Sequence, residues 1–248
     1  MTKLTGKTAV VTGGGGGLGS AISAALAGEG AHVLVVDRFA DAAETMAAKI
    51  VADGGSASAE TLDIGDREAV MAFGARISEQ YGGKIDVLVN NAGISPRSRP
   101  GDPDQTQKWD EILSINLTGQ WDMSVSVLDV MKHPGASMIF LSSIAGFSAP
   151  RSSAAYGATK AAVRSLVQYF ARTLGPTGGR ANGLAPGRMK SGLMTATGDL
   201  NAKFLQRVPL GRVGETHEIA GPAVFLASDM SSYVTGVTIP VDGGYLAL

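Results

Sequence analysis

Tyr156 and Lys160 stand four residues apart in AAYGATKAAVRSL, a spacing that stacks both side chains on one face of a helix. That pairing suits proton exchange. A phenol has an unperturbed pKa near ~10, too high for a base at neutral pH. An ammonium group a few ångströms away favours the phenolate and draws the pKa towards the working range. Ser143 precedes Tyr156 at the end of the strand-like run SMIFLS and could hydrogen-bond the oxygen that exchanges the proton. Taken alone, a Tyr and a Lys at helical spacing also occur as surface or snorkelling residues, so the rest of the chain must decide.

A second constellation opens the chain. VVTGGGGGLGS (Val10 to Ser20) carries five consecutive glycines where a strand hands over to a helix, a poor place for a slack linker. Two registers fit: Gly14, Gly16 and Gly19 match G-x-G-x-x-G, and Thr12, Gly13, Gly17 and Gly19 match T-G-x-x-x-G-x-G. Either brings the N-terminus of the following helix under a pyrophosphate, whose charge free N–H groups and the helix dipole stabilise. Asp37 ends the next strand-like run, where a carboxylate could accept both ribose hydroxyls of an adenosine. A tight turn followed by an N-capping Asp is the plainer alternative.

These residues need elements to hold them. KTAVVT (Lys7 to Thr12), HVLVVD (His32 to Asp37), ASAETL near Ala57, IDVLVN (Ile85 to Asn90), SMIFLS (Ser137 to Ser142) and GRANGLA (Gly179 to Ala185) read as strands. Helical patterns lie between them: LGSAISAALAGEG stopping at Gly30, about Phe39 to Asp53, REAVMAFGARISEQY, the long KWDEILSINLTGQWDMSVSVLDVMK, and AAYGATKAAVRSLVQYFARTL. The alternation predicts an α/β fold with a doubly wound parallel sheet, and no repeat or linker divides the chain into more than one domain. The 248 residues suffice for a proper core, and a 44% hydrophobic, 17% charged composition is that of a globular protein. A net charge of -1 speaks against nucleic acid, and the lack of cysteine excludes thiol and cysteine-metal chemistry. No signal-peptide core and no apolar run of about 18 residues is present, so a soluble cytoplasmic protein without membrane partners is expected. His32, His133 and His217 have no metal-ligand spacing, and no metal is expected; Trp109 and Trp121 read as core or interface.

More motifs follow in order: NNAG (Asn90 to Gly93), Asn116 in SINLTG, Ser143 in LSSIAG, YGATK (Tyr156 to Lys160), LAPG (Leu184 to Gly187), PLGRVG (Pro209 to Gly214) and VTGVTIPVDGG (Val234 to Gly244). With TGGGGGLG (Thr12 to Gly19), this ordered set resembles the short-chain dehydrogenase/reductase family over essentially the full length. The resemblance implies a single Rossmann-fold domain with a sheet of about seven parallel strands. It also implies hydride transfer between a nicotinamide cofactor and a secondary alcohol or ketone. Asn116, Ser143, Tyr156 and Lys160 would be the catalytic set: Tyr156 exchanges the hydroxyl proton, Asn116 holds a water in a proton relay, and both Tyr156 and Lys160 also contact the cofactor, Lys160 at the nicotinamide ribose. Cofactor contacts carried over by resemblance are Gly13, Gly17, Leu18 and Gly19 at the phosphates, and Asp37 and Arg38 at the adenosine ribose. Asp63 and Ile64 would meet the adenine, and Asn90, Ala92 and Gly93 would run beside the cofactor. Pro186, Gly187 and Met189 would lie near the carboxamide, and Ser191 where a threonine often meets the diphosphate. Asn91 reads rather as a brace for the central strands.

Gly14 to Gly16 would then occupy positions where side chains are permitted, and Gly179 and Ala181 predict a loosely packed strand. Asp37 would repel a 2′-phosphate, whereas Arg38 could grip one; the carboxylate sits closer to the ribose, so NAD is expected, with NADP as the alternative. Arg97, Arg99, Arg151, Arg188 and Lys190 could favour an anionic substrate if they converge, or simply be solvated. A lid is expected at about 186–205. Resemblance also implies a homo-oligomer, a tetramer or a dimer, through the helices Trp109–Lys132 and Ala154–Leu174, the second lined by Ala158, Ala161, Ala162 and Ser165. An NADPH-dependent carbonyl reductase and a nucleotide-binding regulator without catalysis remain the alternatives.

Overall fold

Runs of β-branched and aliphatic residues place strands at β1 (Thr8–Thr12), β2 (His32–Asp37), β3 (Ser56–Thr61), β4 (Val87–Asn90), β5 (Ser137–Leu141), β6 (Arg180–Pro186) and β7 (Thr238–Val241). In the computed structural model, which describes residues 3–148, 153–190, 202 and 204–247, they form one seven-stranded sheet in the order β3-β2-β1-β4-β5-β6-β7. Every pairing is parallel. Side chains alternate between two apolar layers, as the two-residue strand period requires. Ala9, Val11, Val33, Val35, Val87 and Val89 meet α1 (Gly17–Gly28), α2 (Ala40–Ala52) and α7 (His217–Ala227) on one face. Val10, Leu34, Val36, Leu88 and Phe140 meet α3 (Arg67–Gln80), α5 (Gln120–Ser126) and α6 (Ala154–Leu174) on the other. Burial on both faces explains why these strands read as continuous apolar runs.

Strand order reverses between β1 and β4, so a crevice opens beyond their carboxyl ends, the place where such sheets bind ligands. Thr12 and Asn91 lock the two ends together. Thr12 Oγ1 accepts from the N–H groups of Asn91 and Ala92, both at 3.1 Å, while Asn91 Nδ2 donates to the carbonyls of Thr12 and Gly13.

Two expectations are corrected. The stretch read as one long helix is α4 (Gln105–Leu113), a π-helical stretch Ser114–Gly119, α5, and a 3-10 turn Asp129–Met131. Gly119 presses on the loop after β3, where a Cβ would stand 2.6 Å from the Ile64 carbonyl. Nor is β6 loose: all seven residues are buried, and Gly183 lies so close to Thr238 that a Cβ would come within 2.7 Å of its hydroxyl. Space left by the missing Gly179 side chain is filled by Leu174. No helix among the described residues is long and apolar enough to cross a membrane.

Candidate active site

The glycine run turns sharply from β1 into α1, with Gly13 and Gly17 in the left-handed region at φ 62° and 54°. Gly19 lies directly on the Gly13 carbonyl, leaving no room for a Cβ. Gly14 and Gly15 are crowded too: Cβ atoms there would come 2.8 Å from the Val11 carbonyl and 2.7 Å from the Ala42 backbone. Of the three glycines expected to tolerate side chains, only Gly16 faces open space. Gly16 caps α1 with no side-chain hydrogen bond, so the helix offers its first N–H groups to whatever lies against the loop. A bare backbone concavity at a helix N-terminus fits a pyrophosphate.

A cleft of about 440 Å³ runs from this loop across the strand ends to α6. Gly13, Gly17, Leu18, Asp37, Arg38, Asp63, Ile64, Ala92, Gly93, Tyr156, Lys160 and Pro186 all border it. The structure thus brings most of the expected cofactor residues to one surface. Gly19 lies beneath the loop, and Asn90 is fully buried, bonding Ser124 Oγ at 2.9 Å. Met189 lines a neighbouring cavity of about 520 Å³ and packs its sulfur against Gly214. Gly187 abuts Asp242 beside it. Ser191, Arg151 and positions 191–201 and 203 of the expected lid lie outside the described residues. Sequence reasoning missed Phe39, Ala42, Ile94, Ser95, Leu141 and Ser142, which also border the cleft. Leu141 and Ser142 were accessible by one signal, since Leu141 ends β5 as Thr12 and Asn90 end β1 and β4, and Ser142 follows it.

At the end of the cleft nearest β2, both carboxylate oxygens of Asp37 are held in place. Oδ2 accepts from Gly15 N–H at 3.2 Å and Oδ1 from Phe39 N–H at 3.1 Å. Arg38 extends over the Phe39 ring, 4.6 Å from its centre. Asp63 Oδ1 accepts from Gly65 N–H at 2.8 Å.

At the other end, Tyr156 and Lys160 project from α6 one turn apart, as the spacing predicted. Lys160 is buried and donates to the Leu141 carbonyl at 2.7 Å; burial lowers its pKa to about 8. Burial pushes the Tyr156 phenol up, while hydrogen bonding with Ser143 pulls it down. With Lys160 Nζ 5.7 Å from the phenol ring centre, the net direction is upward, so the expectation that the ammonium draws the phenol towards neutrality fails in this arrangement. Desolvation outweighs a charge at that separation. Asn116 sits in the π-helical stretch, its side chain spent on the backbone of Ile94: Oδ1 accepts from the N–H at 2.7 Å, and Nδ2 donates to the carbonyl at 2.8 Å. A wide turn of this kind often marks a functional site.

Lys190 is ion-paired with Glu215, Arg188 lies over the Phe204 ring, and Arg97 and Arg99 are exposed on the segment after β4. His32 bonds Ser56, Ser58 and Tyr81, and His133 bonds backbone carbonyls.

A family model described as enoyl-(acyl carrier protein) reductase matches residues 13–246. The chain belongs to the short-chain dehydrogenase/reductase family. It is an NAD(P)-dependent oxidoreductase acting on CH–OH groups. It is 37% identical to trans-4-hydroxycyclohexanecarboxylate dehydrogenase of Sinomonas cyclohexanicum, over 97% of this chain and 93% of that protein. Identity to 2-dehydro-3-deoxy-D-gluconate 5-dehydrogenase of Bacillus subtilis is 35%, over 98% and 96%. A Beutenbergia cavernae structure, designated a candidate NAD(P)-dependent gluconate 5-dehydrogenase with low-occupancy NADP, superposes at TM-score 0.91 with 37% identity, covering 100% of this chain and 99% of that one.

Proposed function

We propose that the protein interconverts a small secondary alcohol and its ketone, with Tyr156 exchanging the hydroxyl proton and NAD as the preferred dinucleotide. One observation carries this reading: Tyr156, hydrogen-bonded to Ser143, and Lys160 border one end of a cleft whose other end is a bare glycine cradle. A bound nicotinamide supplies the hydride donor or acceptor. The protein supplies position and proton. Ser143 Oγ hydrogen-bonds the substrate oxygen and orients it towards the Tyr156 hydroxyl. Lys160 has three donors and spends one on Leu141, leaving two for the ribose side of the cleft. Burial holds the resting phenol protonated, and the Lys160 charge lessens, without reversing, the cost of the phenolate that forms when the proton is passed on. The Asn116 amide spends one N–H and one oxygen contact on Ile94, leaving its second N–H for a relay water.

Gly13, Gly17, Leu18 and Gly19 would hold the diphosphate, Asp37 the adenosine ribose, and Asp63 and Ile64 the adenine. The fixed Asp37 carboxylate supports NAD, because a 2′-phosphate would meet an anion that cannot swing away. The NADP in the Beutenbergia cavernae protein supports the alternative, with Arg38 leaving Phe39 to grip the phosphate. Parallel titrations with NADH and NADPH, followed by nicotinamide fluorescence, decide between them. Tighter NADH binding is expected, and tighter NADPH binding would overturn the preference.

A substrate bearing a carboxylate is supported by the names of the two relatives given above, a cyclohexanecarboxylate and a gluconate dehydrogenase, while others are named for the neutral compounds D-threitol and sorbose. Turnover of an acid should then far exceed that of its neutral ester, and equal rates would remove this reading. A homo-oligomer is proposed on the exposed, small-residue face of α6 at Ala158, Ala161 and Ser165. Cytoplasmic placement remains a proposal resting on the absence of cysteine.

A further inference from the structure

Arg164 lies one further turn along α6, so Tyr156, Lys160 and Arg164 form a stripe at i, i+4 and i+8. Its Nη1 donates to the Gly146 carbonyl at 3.0 Å, and its guanidinium carbon sits 3.7 Å from the centre of the Phe147 ring. Both partners belong to the segment that carries Ser143. Ser143 caps a 3-10 turn at Ile144–Gly146, accepting from Ala145 N–H at 3.1 Å, and Phe147 follows directly. Upstream of Ser143, Ser142 Oγ donates to the Lys160 carbonyl at 2.7 Å. Downstream, Gly146 approaches so closely that a Cβ would stand 2.6 Å from that same carbonyl. The segment is therefore fastened on both sides of Ser143 to the helix that carries the phenol, and Arg164 supplies the downstream side-chain fastening.

We propose that Arg164 is a positioning residue for the proton-exchange site: by clamping Gly146 and Phe147 onto α6, it holds the Ser143 hydroxyl in register with Tyr156. A guanidinium suits this task because one planar group both stacks on a ring and directs an N–H at a carbonyl. Lysine can keep the hydrogen bond but not the stack. Arg164 does not border the dinucleotide cleft, so its effect belongs to the proton step and not to cofactor binding. The proposal rests on the roles given above to Ser143 and Tyr156.

The test uses full-length Arg164→Met and Arg164→Lys, with Ser143→Ala as the partner in a double-mutant cycle. The groups facing the phenol are the Ser143 hydroxyl and the Lys160 ammonium, and only the first is held by Arg164. Arg164→Met should lower kcat for alcohol oxidation about tenfold and move the phenol limb of the pH profile up by about one unit. Arg164→Lys should fall between, and NADH affinity should not change. In the Ser143→Ala background, Arg164→Met should cost nothing further, because both act through one hydroxyl. Full additivity with Ser143→Ala would overturn the proposal. So would an unchanged pH profile with activity lost only in proportion to thermal stability. Amide hydrogen exchange across Ala145–Ser148 gives a readout that needs no turnover: Arg164→Met should speed it, and unchanged exchange would overturn the clamp. A wild-type protein inert towards alcohols would instead sink the proposed function and leave the exchange result standing.

Discussion

Lys160 Nζ donates a 2.7 Å hydrogen bond to the carbonyl of Leu141, the last residue of β5. That bond ties the middle of α6 to the strand end from which Ser142 and Ser143 depart. It also draws a cation into a buried place, and burial lowers its pKa to about 8 from an ordinary value of 10.5.

The stability of the protein should therefore depend on pH in a defined direction. Between about 8 and 10.5 the unfolded chain holds a proton on Lys160 that the folded chain has released, so stability rises with pH through that window. The full effect is about 3 kcal/mol, at about 1.4 kcal/mol per pH unit. Lys160→Met keeps the aliphatic stem and removes the titration. Urea unfolding at pH 7.5 and 10 should show wild type losing ground to the variant at the lower pH, and parallel curves would contradict the burial argument.

The glycine loop offers a second check. Gly15→Ala sets a methyl against the Ala42 backbone, whereas Gly16→Ala enters open space with an extended φ of -149°. Gly15→Ala should cost about 1–3 kcal/mol, the usual penalty for overpacking, and Gly16→Ala should be nearly neutral. Thermal unfolding of the pair measures the difference.

Much of this architecture was legible beforehand. Strands such as HVLVVD are buried on both faces, so composition alone marks them, and β2 occupies the expected span. Tyr156 and Lys160 were legible because helical spacing fixes which side chains share a face. The break at Ser114–Gly119 was not, since weak helix formers such as its Ser, Asn, Thr and Gly do not by themselves say that a turn widens, and this one does so at a contact with Ile64, distant in sequence. Crowding at Gly14 and Gly15 was hidden for the same reason: the clashing atoms belong to β1, β2, α1 and α2, whose approach no local pattern encodes. The burial that raises the phenol also depends on tertiary packing, which the Tyr–Lys spacing does not contain.

Asp37 should govern the choice of dinucleotide. Asp37→Ala removes the acceptor for the ribose hydroxyls and the repulsion of a 2′-phosphate, and frees the N–H groups of Gly15 and Phe39. NADH should bind at least about tenfold more weakly, for a lost charge-assisted hydrogen bond of about 1.5–3 kcal/mol, and NADPH should bind more tightly. Isothermal titration with both dinucleotides measures the change.

Arg180 should matter for stability alone. Its guanidinium is buried at the head of β6, donating to the Leu226 carbonyl at 2.9 Å, Ser231 Oγ at 2.6 Å and the Ser228 carbonyl at 3.2 Å. Arg180→Met removes three buried hydrogen bonds, while the Leu226 and Ser228 carbonyls keep donors from Ser137 and Ser231, so it should cost about 1–3 kcal/mol. Denaturant unfolding reads this directly, and a cost below about 1 kcal/mol would mean that water replaces the guanidinium.

Proton exchange by Tyr156 is the central claim, and Tyr156→Phe tests it most directly. The same preparation should be assayed for NADH binding and for NAD-dependent oxidation of secondary alcohols and hydroxy acids. NADH affinity should be unchanged, with turnover reduced by about 10²–10⁴-fold, the range for loss of a general acid–base group. Turnover equal to wild type, with the cofactor still bound, would contradict it.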